Sequence, residues 1–170
     1  TEGLPVPRVR VVTDSAADLP PELAASSGIT VIPLSVHFGQ QTYIDGEELS
    51  AARFYELLAR DPIFPRTSQP SIGRFEQVYT RLRDEGAEVV SVHLSSKLSG
   101  TYNTACAAAR SVEGLQAVVV DSLTASMAIG ELALAAARMA EAGQPAAEIG
   151  RQMELMRERV HVAIMLDSLT

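Results

Sequence analysis

Hydroxyl side chains crowd the point where an apolar run stops, and that is the feature of this chain best suited to chemistry. Val89-Val90-Ser91-Val92-His93-Leu94 gives way to Ser95-Ser96-Lys97-Leu98-Ser99-Gly100-Thr101, and an alanine-rich helical pattern follows. The order predicts a strand, a polar turn and a helix start. Backbone N–H groups at a helix start lack intrahelical acceptors and carry positive partial charge, which suits an anion. Ser95, Ser96, Ser99 and Thr101 add hydroxyl donors, and Gly100 would let a ligand come close to the backbone. The pattern is that of a seat for a small anionic head group, and leaves open which anion it takes.

A second polar cluster, Arg66-Thr67-Ser68-Gln69-Pro70-Ser71, precedes a helical pattern marked by Ile72, Phe75, Val78, Tyr79 and Leu82. It too is expected to be a helix N-terminus; it reads equally as a capping run with proline near the first turn. Two such helix starts at one sheet edge could hold one anion between them. Asp-Ser pairs end three predicted strands, at Asp14-Ser15, Asp121-Ser122 and Asp167-Ser168. Parallel sheets place ligand clefts at such ends, but Asp and Ser are also good turn and cap residues, and capping is the preferred reading.

Other chemistries find little support. The chain has no G-x-x-x-x-G-K-[ST], no G-x-G-x-x-G and no G-x-S-x-G. Ser99, His93 and Asp121 can be drawn as a triad, but His93 lies inside an apolar run and reads as a packed sheet histidine. His37 and His161 also fall in predicted strands. The histidines are widely spaced, so no metal site, catalytic set or cofactor is expected. The net charge of −7 speaks against a nucleic-acid surface. Lys97, the only lysine, sits in the hydroxyl loop, and Cys106, the only cysteine, is expected to be a buried structural thiol on a helix.

These groups must be positioned by alternating strands and helices. Predicted strands are Val9 to Thr13, Ile29 to Phe38, Val89 to Leu94, Ala117 to Val120 and Val160 to Leu166, each nearly continuous in apolar residues, as in strands covered on both faces. Helices are expected after Asp18 at Pro20-Pro21, after Ser50, and over 72–82, 99–110, 125–142 and 145–158, with Gly143 ending the fifth. Gly39 to Glu48 reads as a loop or hairpin. The fold class that follows is α/β, a three-layer sandwich with a mainly parallel sheet and helices on both faces. Charged residues interrupt the 125–142 run, so no membrane insertion is expected, and a cytoplasmic location is the default.

Thr67-Ser68-Gln69-Pro70-Ser71-Ile72-Gly73 and Leu94-Ser95-Ser96-Lys97-Leu98-Ser99-Gly100-Thr101-Tyr102-Asn103-Thr104 resemble the signatures of the DegV family. Val12-Thr13-Asp14-Ser15-Ala16-Ala17-Asp18-Leu19 and Ile32-Pro33-Leu34-Ser35-Val36 are similar to that family as well, so four motifs match in order. The resemblance implies a long-chain fatty-acid-binding protein, not an enzyme, of the kind that serves fatty acid kinase as its acyl-carrying subunit. It implies that residues 1–170 form the N-terminal α/β domain, with the family's C-terminal domain, which closes over the ligand, not represented in this chain. It also implies that Thr67 and Ser99 hold the carboxylate, with Ser68, Ser96 and Gly100 beside them, and that the acyl chain enters an apolar tunnel. The competing expectation is an α/β enzyme or binding domain for a small phosphorylated metabolite.

Overall fold

The computed structural model describes residues 9–60, 63–163 and 165. Apolar β-branched runs form four parallel strands, β1 (Val9–Asp14), β2 (Ile29–Ile32), β6 (Glu88–His93) and β7 (Ala117–Asp121), in the order β2-β1-β6-β7. Successive side chains on each strand point to opposite faces, so both faces need cover. On one face Val9, Val11, Val90, Val92 and Val120 pack against α5 (Met127–Glu141) and α6 (Ala146–Arg157). On the other, Val12, Ile32 and Val89 pack against α3 (Ile72–Asp84) and α4 (Thr101–Ser111). The expected three-layer α/β sandwich is what forms. α5 approaches closely because Gly130 faces the carbonyl of Ala17, where a Cβ would lie 2.8 Å from that oxygen.

The run from Ile29 to Phe38 is two strands, not one. Pro33 cannot donate to a ladder, and the Leu34 N–H donates instead to Ser15 Oγ at 3.1 Å. The chain therefore leaves the main sheet after Ile32 and starts a second, antiparallel one. There β3 (Ser35–Phe38) lies between β4 (Gln41–Ile44) and β5 (Arg66–Ser68), in the order β4-β3-β5. The predicted hairpin is the β3–β4 turn, with Gly39 at φ 60°. Ser50 caps α2 (Ala51–Arg60) through the Arg53 N–H at 3.2 Å.

Three expectations need correction. Val160–Ala163 form no strand; Val160 is half-buried, His161 to Ala163 are exposed, and no strand of the described residues pairs with them. An apolar run holds strand geometry only when a neighbour satisfies its backbone. Leu166 and the pair Asp167-Ser168 lie outside the described residues. Asp18 does not cap α1 (Pro21–Ser26), whose cap position is Pro20; its carboxylate accepts from Ser126 Oγ at 2.5 Å. Cys106 is half-buried rather than core, because the buried stripe of α4 runs through Thr101, Ala105 and Ala108. Its hydrogen bond to Tyr102 is the largest influence holding that phenol above its ordinary value.

Candidate head-group site at the carboxyl edge of the sheet

The hydroxyl loop runs from the end of β6 to the start of α4. Its amides are largely committed within the protein. Leu94 N–H donates to Asp14 Oδ2 at 3.0 Å, Ser95 N–H to the Thr124 carbonyl at 3.1 Å, and Ser96 N–H to Asp121 Oδ1 at 3.1 Å. Lys97 N–H donates to Ser95 Oγ at 3.2 Å, and those of Leu98 and Ser99 to the Ser95 carbonyl at 2.9 and 3.1 Å. The amides of the loop itself, Leu94 to Ser99, are therefore already engaged. What the loop offers an anion is the half-buried hydroxyls of Ser96 and Ser99 and the first-turn amides of Tyr102 and Asn103 in α4, since first-turn amides have no intrahelical acceptor in any helix; Thr101 itself is fully buried. Ser99 Oγ is 2.9 Å from Thr101 Oγ1 and accepts the Thr101 N–H at 3.3 Å. Ser95 is buried, its hydroxyl used in the turn.

Gly100 has an ordinary φ of −76°, so conformational freedom is not why it is glycine. A Cβ there would lie 2.1 Å from Gln69 Oε1. The backbone is approached by Gln69, whose Nε2 also donates to Thr104 Oγ1 at 2.8 Å. One side chain thus straps the first hydroxyl cluster to the second. The sequence motif contained Gln69 but gave no sign of this role, since its partner is 35 residues away.

The Arg66–Ser71 cluster reaches a helix N-terminus only at its last residue. Thr67 and Ser68 lie on β5, while α3 begins at Ile72 under its own cap, Ser71, which accepts the Arg74 N–H at 3.3 Å. Pro70 separates the two, and the residues before it are extended. Thr67 pairs with Val36 and Ser68 with Ser35, so their side chains point to opposite faces of the small sheet. Ser68 Oγ is held 2.9 Å from His37 Nε2, and His37 Nδ1 lies 2.8 Å from Thr42 Oγ1, a bridge across all three strands. Thr67 is exposed, and among the described residues its hydroxyl bonds to nothing. Of the two neighbours, Thr67 is the one with a free donor. Both clusters run into a helix start, but Ser99-Gly100 lies directly at that of α4, whereas Thr67 lies on a strand four residues before the α3 cap, Ser71.

His93 is the packed histidine the sequence suggested, and it cannot act on Ser99. Both ring nitrogens are engaged, Nδ1 with Asp14 Oδ2 at 2.9 Å and Nε2 with Ser91 Oγ at 2.7 Å, and the residue has no exposure. Its acid is Asp14, not Asp121. Register alone does not separate the two acids, since His93 pairs directly with Asp121 on β7 and lies one rung beyond the Thr13–Val92 pair on β1; the Asp121 carboxylate is taken up by loop amides, while that of Asp14 meets the ring. The Asp-Ser tips act as caps, with Asp14 accepting from Ala16 N–H at 3.1 Å and Asp121 from Ser96 and Leu123 N–H at 3.1 Å each.

Two surface hollows, of about 680 and 350 Å³, lie on the outer face of α3 and beside the start of β1. Neither is lined by Thr67, Ser68, Ser96, Ser99 or Gly100. In the hydroxyl loop Ser96, Ser99 and Gly100 are half-buried and Ser95 and Thr101 buried, with Leu98 66% and Leu123 46% exposed beside them. No helix among the described residues is long and apolar enough to cross a membrane.

Residues 8–170 match the family model described as "Uncharacterised protein, DegV family COG1307". A DegV domain-containing protein of Listeria innocua is 39% identical over 163 residues, which are 95% of this chain and 58% of that protein. Among solved structures, the Bacillus subtilis DegV, a fatty acid binding protein, superposes with TM-score 0.84 at 37% identity, over 89% of this chain and 54% of its own. A DegV family protein from Thermus thermophilus, described by its fatty acid binding, gives 0.81 at 36% identity, over 89% and 54%. The chain thus spans little more than half the length of these relatives. A near-complete family match, joined to the same sheet and helices in three dimensions, decides the matter: this chain belongs to the DegV family.

Proposed function

We propose that this chain forms the half of a fatty-acid-binding protein that grips the carboxylate, with Thr67 and Ser99 as hydrogen-bond donors and Ser96 and Gly100 beside them. The observation that carries the reading is Gln69, seated on Gly100 and bonded to Thr104, which holds the two hydroxyl clusters together. In this reading the unused hydroxyl of Thr67 and the start of α4 address the same carboxylate. The solved relatives are described as fatty acid binding proteins, one of them with stearic acid.

Ser68, tied to His37, supports the small sheet rather than the ligand. Exposed Leu98 and Leu123 fit the rim of an acyl tunnel that the remaining length of the relatives would complete by closing over the tail. Burying about 14 methylenes at about 0.8 kcal/mol each gives about 11 kcal/mol before ordering costs, against about 1.5–3 kcal/mol for each charge-assisted hydrogen bond. The tail sets affinity; Thr67 and Ser99 set orientation. Presented at the molecular surface, the carboxylate is where a fatty acid kinase could phosphorylate it, and that chemistry would belong to the kinase.

The test is organic extraction of the purified protein followed by mass spectrometry. A long-chain fatty acid is expected; a phosphorylated polar compound would replace this reading with the metabolite-binding one. Thr67→Ala is expected to weaken binding while leaving thermal unfolding unchanged, whereas Ser99→Ala is expected to weaken binding and also to lower stability by about 0.5–2 kcal/mol, because Ser99 Oγ accepts the Thr101 N–H; wild-type binding by the double variant would remove both assignments.

A further inference from the structure

Beneath the hydroxyl loop runs a buried polar chain that the proposed grip does not itself use. Tyr79 on α3 donates to Ser91 Oγ at 2.8 Å, Ser91 Oγ lies 2.7 Å from His93 Nε2, and His93 Nδ1 lies 2.9 Å from Asp14 Oδ2. Tyr79, Ser91, His93 and Asp14 are all 0% exposed. The direction of the chain follows from counting protons. Asp14 already accepts two backbone N–H groups, from Ala16 and Leu94, so it is the carboxylate and Nδ1 must carry the ring proton facing it. Nε2 is then an acceptor, Ser91 gives it its one proton, and Ser91 in turn accepts from Tyr79. Run in reverse, the chain would set the Nδ1 lone pair against a carboxylate oxygen. Every donor and acceptor is matched in one direction only.

The chain ends on the loop. Asp14 Oδ2 accepts both from His93 and from the N–H of Leu94, the residue at which β6 turns into Ser95–Gly100. At its other end is α3, the helix that follows Thr67-Ser68-Gln69, and Phe75 of that helix packs edge-on to the His93 ring with centroids 5.1 Å apart. One network thus ties the base of the Ser95–Gly100 loop to α3, the helix that follows the other cluster.

We propose that Asp14 and His93 are positioning residues for the head-group site: the carboxylate, oriented by the Nδ1–H of His93, fixes the Leu94 amide and through it the height of Ser96 and Ser99 above the sheet. This rests on the fatty-acid reading, and the experiment separates the two. His93→Asn keeps an amide donor near the Nδ1 position, whereas His93→Gln carries its amide out to the Nε2 position and leaves Asp14 short of a donor.

Binding of hexadecanoic acid to the full chain is measured for both variants, with thermal unfolding alongside. His93→Asn is expected to bind within about threefold of the unmodified chain, and His93→Gln to lose about tenfold, the worth of one hydrogen bond to a charged group. Equal affinities for the two variants, or losses that only follow their unfolding temperatures, would overturn the proposal. Two readouts on the unmodified chain need no variant and no ligand. The nitrogen NMR signals of His93 should report the Nδ1–H form, and the Leu94 amide should exchange with solvent as slowly as the amides of β6. The Nε2–H form, or a Leu94 amide exchanging as fast as that of Lys97, overturns the proposal whatever the ligand proves to be. Failure of the unmodified chain to take up hexadecanoic acid would count against the fatty-acid reading, while these two readouts would still decide whether Asp14 holds the loop.

Discussion

The two hydroxyl clusters meet at one edge of the molecule but are held in opposite ways. Leu94–Thr101 is anchored from below and from the side, by the carboxylates of Asp14 and Asp121, the Thr124 carbonyl and its own Ser95. Arg66–Ser68 is a three-residue edge strand, exposed along its length, and the side chain of the adjacent Gln69 joins it to its counterpart. A group whose neighbours satisfy it arrives at its ligand already placed, and little ordering entropy remains to be lost on binding. The edge strand is held instead by its ladder to β3 and by the Ser68–His37 bond, and Thr67 stands exposed on it with an unused hydroxyl. The pair therefore combines a half anchored from beneath by buried carboxylates, Ser99, with a half carried on an exposed sheet edge, Thr67.

Substitutions can break that contrast, and the largest effect is expected below the anchored half. Asp14→Ala strips His93 Nδ1–H, Leu94 N–H and Ala16 N–H of their shared acceptor in the core. Each unmet buried donor costs about 1–3 kcal/mol, so chemical unfolding should show a loss of about 3 kcal/mol or more. Unfolding within 1 kcal/mol of wild type would mean the loop does not depend on this anchor.

Next is the strap. Gly100→Val places side-chain atoms where Gln69 now sits and should drive it off Thr104, so that fatty acid affinity falls about tenfold while stability changes by about 1 kcal/mol. Calorimetric titration checks it, and unchanged affinity would show that the two clusters act independently.

A pH effect sharpens the picture of the buried chain. Burial pushes the Tyr79 phenol above its ordinary value of 10.0, with the hydrogen bond to Ser91 opposing. Its pKa is higher folded than unfolded, so the folded chain holds the proton more tightly. That contribution is fully present below about pH 10 and is lost as the unfolded chain's tyrosine ionises above it. Tyr79→Phe is expected to flatten the alkaline limb of the stability curve, measured by denaturant titration from pH 8 upward; an unaltered limb would place the titration elsewhere.

The smallest effect is expected at Ser68. It faces away from Thr67 and serves His37. Ser68→Ala should cost about 0.5–1 kcal/mol of stability and leave fatty acid affinity unchanged. A tenfold loss of affinity would return Ser68 to the ligand.

Much of the architecture was legible in the residues. Apolar β-branched runs named all four strands of the main sheet, and Ser50, Ser71 and Gly143 marked helix ends, because strand burial and capping are written in local spacing. Val160–Leu166 misled for the complementary reason: a run of the right composition is not a strand until something pairs with it. Pro33 was the visible sign that Ile29–Phe38 would divide, since it removes a ladder donor wherever it falls.

At the site, residue type determined that Thr67, Ser96, Ser99 and Gly100 could address an anion, and that His93 would be packed. Only the folded chain decided that Gln69 fills the space above Gly100, that Thr67 and Ser68 part to opposite faces, that the loop amides are already engaged, and that the acid of His93 is Asp14. Most of these depend on atoms 25 to 80 residues apart in sequence, or on which side of a strand a side chain emerges. Local spacing carries chemistry and periodicity; register and packing decide which groups of equal chemistry remain free to act.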